Sequence, residues 1–182
     1  MNTFHTSSRW LLLGLVLFAF LVRAPFFGSP AIHIDEQFYL TVAEKWVHHG
    51  MIPFVDIWDR KPLGTFVVYA LPAITPLPIL GYQILATLFV IGTGFTIMRL
   101  GDLIAAPRVG FMAAVIYAVA VGLMEGSGGQ TPIFYNLPVA VAMLMYLRTA
   151  LGESRPELGQ IRLAGLGACL LFGIAMQIKY VA

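Results

Sequence analysis

The sequence predicts an all-α integral membrane protein, and three observations predict it. Of its 182 residues, 59% are hydrophobic and 11% charged, whereas soluble domains carry roughly 45–50% apolar and about 25% charged residues. Mean hydropathy is +0.83. The apolar residues form successive runs separated by short connections, several of which carry arginine. A net charge of +2 and the lack of a basic tract with interleaved aromatics argue against nucleic acid as a partner. The single cysteine, Cys169, rules out an intrachain disulfide. No repeat period, low-complexity tract or soluble domain interrupts the pattern.

The first span runs from about Trp10 to Phe27, near the 20 residues a crossing helix needs, with Arg23 expected to snorkel to the interface. A cleaved signal peptide is the rival reading, but "RAPFFGSPA" is a bulky, charged approach to a cleavage point, which favours a retained anchor. Further spans are expected at about 79–98, 109–124, 132–147 and 163–182. The last reaches Ala182 without a closing polar flank, so a truncated chain is expected.

Between the first two spans lies a loop, residues 28–78, that should hold two interfacial helices. Over about 36–49, Tyr39, Val42, Ala43, Trp46 and Val47 recur at helical spacing opposite Gln37, Thr41, Glu44, Lys45 and His48. Asp35 is placed as its N-cap, and Gly50 follows its end. By angle Glu36 falls on the apolar face, where an unpaired carboxylate is costly. The second helix, about 62–74, is too short to cross and is bracketed by prolines. If it stays at the interface and the amino terminus is cytoplasmic, Arg99, Arg108, Arg148, Arg155 and Arg162 all fall inside, as the positive-inside bias requires.

Arg23, Lys45, Arg60 and Lys61 then lie on the outer side, beside the acids of "HIDEQFYL" and "PFVDIWDRKPLG". Asp35 and Glu36 have an ordinary explanation as helix-start acids, each contributing on the order of 1 kcal/mol or less. Charge packed into a loop held at the membrane points instead to a site. His33, His48 and His49 do not make a metal set, because adjacent histidines on a helix point apart and no paired ligand stands at helical spacing.

The order "DEQFY", then "HGMIPFVDIWDRKPLG", then "GQTPIFYNLP" and "GIAMQIKYV" resembles the GT-C membrane glycosyltransferases that use polyprenyl-phosphate sugars. These include aminoarabinose transferases, protein O-mannosyltransferases and RgtA/B/C/D-like proteins. The likeness covers the whole chain but only the amino-terminal part of a typical member. Two positions depart from the pattern: Leu63 stands where many relatives have a second proline, and Gln130, Thr131 and Pro132 stand where many carry a carboxylate, for which Glu125 is a substitute.

The resemblance implies a GT-C-type transmembrane helix bundle with an amphipathic juxtamembrane helix in its first outer loop. It also implies inverting transfer of a sugar from a polyprenyl-phosphate donor to a lipid, glycan or protein hydroxyl acceptor, at the periplasmic or extracellular face of a bacterial-type plasma membrane. Asp35 is expected as the general base, with Glu36 as second candidate or orienting neighbour. Lys61 and Arg60 are expected on the lipid phosphate, and Lys179 as a further phosphate ligand. Asp56 is expected on Arg60 or the sugar, Tyr39 in stacking, and Gln130 in the substrate-binding set. No cofactor is required; some relatives use a divalent ion, but no residue pattern here calls for one. A transporter or flippase fragment, or a non-catalytic membrane scaffold, are the alternatives; the absence of an internal repeat argues against the transporter.

Overall fold

The computed structural model describes residues 6–30, 33–151 and 157–179. They form seven α-helices: α1 (Thr6–Arg23), α2 (Ile34–His49), α3 (Leu63–Ala73), α4 (Pro78–Ile104), α5 (Pro107–Leu123), α6 (Thr131–Ala150) and α7 (Leu158–Ile178). A 3₁₀ turn, Ala24–Phe26, follows α1. Among the described residues the only β-type pairing is an isolated bridge between Pro53 and Ile57. Four helices, α1, α4, α6 and α7, are long and apolar enough to cross a membrane. The chain is therefore an all-helical membrane protein.

Helix α5 is shorter, at 17 residues or about 25 Å. Its start nonetheless lies beside the start of α1, where Trp10 and Leu11 share a groove with Ala106, Pro107 and Arg108. Its end leads into the loop that Arg23, at the end of α1, holds by hydrogen bonds. The two helices thus run the same height side by side. Helix α3, 11 residues or about 17 Å, cannot cross.

Helix boundaries differ from the sequence expectations where polar residues are satisfied within the helix itself. Helix α4 continues to Ile104 rather than stopping near Met98, because Arg99 and Asp102 pair at 3.2 Å one turn apart. Within it, Thr87, Thr93 and Thr96 each return a hydroxyl bond to the carbonyl four residues back, so they suit an apolar setting. Helix α7 begins at Leu158, before the expected 163, because Glu157 and Gln160 form a capping box. It ends at Ile178, with Lys179 as its C-cap; residues 180–182 of the expected span, and Arg155, lie outside the described residues.

Two small residues close the α4–α5 hairpin, which turns through Ala105 and Ala106 alone. A methyl group on Gly101 would collide with the backbone of Gly110, and one on Gly110 would sit 2.6 Å from the Met98 carbonyl. The opposite end of the bundle holds α2 and α3. They run in the same direction, with Tyr39 against Phe66 and Tyr69 near their starts and the His48 ring bonded to the Ala73 carbonyl (2.9 Å) near their ends. Edge-on aromatic contacts carry this packing inward, from Tyr39 through Tyr69 to Phe134 and Phe89.

Candidate functional site at the α2 end of the bundle

Helix α2 starts one residue earlier than expected, at Ile34, and its N-cap is His33 rather than Asp35. The His33 Nδ1 accepts from the Asp35 amide (3.1 Å), which places Asp35 in the first turn. That fixes the His33 proton on Nε2, which faces the Glu125 carboxylate at 3.5 Å. Glu125 itself has φ 62, an uncommon conformation for a side-chain-bearing residue. Gly50 ends the helix in the left-handed conformation that only glycine enters freely (φ 69), and the Tyr39, Leu40, Val42 and Ala43 stripe is buried. Val47, expected on that stripe, is exposed, and Trp46 is half-buried.

Neighbouring positions on α2 are about 100° apart, so Asp35 and Glu36 enter different environments. Asp35 is half-buried and accepts from the Tyr39 hydroxyl at 3.4 Å. The Lys61 ammonium lies 5.9 Å from the centre of the same Tyr39 ring. Burial first, and then the carboxylates of Asp35 and Asp59, push the Tyr39 hydroxyl well above its ordinary range, so it remains a proton donor. Arg60 contributes an opposing field at this ring. Asp35, Tyr39, Asp59, Arg60 and Lys61 thus share one neighbourhood. Lys61 is set in it by its own amide, which donates to Asp59 Oδ1 at 2.7 Å.

Other candidate residues lie elsewhere. Asp56 accepts from the Ile52 amide at 2.7 Å and shapes the turn that carries Phe54 at φ 71. Trp58 is exposed. Gln130 is the N-cap of α6 without a capping side-chain bond. Lys179 is half-buried just past α7, whose end abuts the start of α3: a methyl group on Gly64 would strike the Gln177 backbone.

Glu36 is wholly buried (0% exposed), with its carboxylate against Gly128. Among the described residues its two oxygens are the buried side-chain polar atoms left without a hydrogen-bond partner; the Gly129 amide and the Tyr82 hydroxyl face it without reaching bonding geometry. Desolvation therefore raises its proton affinity above the ordinary carboxylate range, against smaller opposing effects from Gly129, Tyr82, His33 and Arg23.

Arg23 overturns its expected snorkelling. It is 3% exposed and turned inward, donating from Nε to Thr87 Oγ1 (2.9 Å), from one Nη to the Gly126 carbonyl (2.6 Å) and from the other to the Gly128 carbonyl. Tyr69 donates to the next carbonyl, Gly129, at 2.6 Å. Gln83 closes the remaining side, accepting from the Gly28 amide (2.7 Å) and donating to the Ser29 carbonyl (2.9 Å). Arg23, Tyr69, Tyr82, Gln83 and the glycine loop were not expected as functional residues. Their signals were a guanidinium inside an apolar run, a Gln and a Thr four apart in α4, and "GSGG" after Glu125. Comparison with protein-family models, curated proteins and solved structures yields no match.

Proposed function

We propose that the chain carries the catalytic carboxylate and phosphate-binding cations of a membrane glycosyltransferase that takes a sugar from a polyprenyl-phosphate donor. The observation that supports the reading is the meeting of Asp35, Tyr39 and Lys61 around one ring, with Arg60 in the same field. Asp35 removes the proton from an acceptor hydroxyl on a lipid, glycan or protein. The acceptor oxygen then attacks the anomeric carbon as the bond to the lipid phosphate breaks on the opposite face, inverting the centre. Lys61 and Arg60 meet the charge that develops on the departing phosphate. A base so placed typically contributes about 10²–10⁴-fold. Tyr39 holds the Asp35 carboxylate without competing for its proton.

Glu36, with no exposed surface, is assigned a supporting part, and Lys179 and Gln130 remain secondary contacts. Arg99, Arg108, Arg148 and Arg162 lie toward the opposite end of the bundle from α2, which favours a cytoplasmic face there and an active face outside. The test is transfer by the chain in nanodiscs from a radiolabelled polyprenyl-phosphate sugar to extracted envelope acceptors. Asp35→Asn should lower the rate about 10²-fold or more, while Lys61→Ala should weaken donor use. Donor binding with no transfer would overturn the reading in favour of a lipid-binding scaffold or flippase.

A further inference from the structure

The glycine loop between α5 and α6 stands between two buried ionisable side chains. Arg23 takes its carbonyls at Gly126 and Gly128, while Glu36 packs on Gly128 from the α2 side and faces the Gly129 amide. The loop's peptide dipoles therefore point their negative ends at the guanidinium and their amide side toward the carboxylate. Three Arg23 donors go to neutral acceptors, so the two side chains meet across the loop rather than in a direct ion pair. Buried charges are tolerated when such oriented groups compensate them. A methyl group at 128 would overlap the Glu36 carboxylate, and one at 129 would lie 2.6 Å from the Tyr82 ring, so either would displace a side chain packed on the loop.

We infer that Arg23 and Glu36 are a positioning pair that acts through the Gly126–Gly129 loop to fix where α2, and with it Asp35, meets the bundle. The catalytic part of this inference rests on the glycosyltransferase reading above. Glu36 follows Asp35 in the first turn of α2, so seating one carboxylate in the bundle sets the direction of the other. Arg23, on α1, reaches α2 through the loop it holds and through its field at Glu36. The pair thus links the first helix, the α5–α6 loop and the candidate base.

The test is a double-mutant cycle on the full chain in nanodiscs, read by amide hydrogen exchange and by transfer rate. Arg23→Gln and Glu36→Gln should each speed exchange of the Gln37–Leu40 amides by about tenfold, and the double variant should add no more than about threefold to the larger single effect. Thr87→Val, which removes one Arg23 acceptor and leaves the charge, should give a smaller rise confined to the same amides and the glycine loop, and keeps the question open to measurement if Arg23→Gln does not accumulate. In the transfer assay kcat should show the same non-additivity, with the donor KM unchanged. Independent, multiplicative effects on exchange, or no rise in Gln37–Leu40 with Thr87→Val, would overturn the pair. Coupled exchange in a chain without transfer activity would retain the pair and remove the glycosyltransferase reading; transfer with uncoupled exchange would do the reverse.

Discussion

The α2 end of the molecule and helix α7 contain the same kinds of apolar residue but are held by different means. Around α2, the core is fastened by directed polar contacts: Arg23 on the glycine loop, Tyr69 on Gly129, Gln83 on Gly28 and Ser29. Helix α7 has almost no such fastening. Only 11% of its most apolar window is buried, against 44% for α4, and Leu163, Leu166, Leu170 and Met176 all face outward. In lipid, apolar side chains gain little by leaving the tails for a neighbouring helix, so packing shape and polar contacts decide what is rigid. The difference places specificity of structure at α2 and leaves α7 held by α6 and a short contact with α3.

Substitutions sharpen that contrast. Arg23→Leu leaves the buried Gly126 and Gly128 carbonyls without their donors; at about 1–3 kcal/mol for each stranded group, a loss of about 2–5 kcal/mol is expected in detergent-mediated unfolding. A loss below about 1 kcal/mol would mean the α2 end is not fastened there. Tyr69→Phe strands one buried carbonyl and should cost about 1–3 kcal/mol by the same measurement.

A smaller, pH-dependent difference follows from Glu36. Its folded form binds a proton more tightly than the unfolded chain does, so the contribution to stability is full below the ordinary carboxylate value and declines as pH rises toward its raised value. Unfolding followed across that interval should show the decline in the native chain and its loss in Glu36→Gln. The least effect is expected at Leu166→Ala on α7, within about 0.5 kcal/mol; a large loss there would show that α7 is packed against something it does not touch in this fold.

Helix content, the short α3 and the buried face of α2 were legible because each depends on periodicity and length within one segment. Glu36 was legible as a carboxylate on an apolar face, since its angle relative to Tyr39 and Ala43 is fixed by helical geometry. The partners that make that burial bearable were not. Arg23 and Gly128 are 105 positions apart, and no local pattern states that a guanidinium at the end of one helix will turn inward to a distant loop. Asp35 as N-cap failed for a related reason: His33 offers a ring nitrogen to the same amide, a choice between neighbours that depends on the conformation of residue 33. The end of α4 ran on because an exposed ion pair prolongs a helix past its apolar stretch.

The close crossing of Gly101 and Gly110 has a consequence for how the bundle moves. With backbone touching backbone and a two-residue turn beyond, the α4–α5 hairpin is pinned at its base and has no slack there for sliding. Any separation of α4 from α5 would therefore pivot about that pinch, with its widest margin at the opposite end of the pair, where α2 meets the bundle.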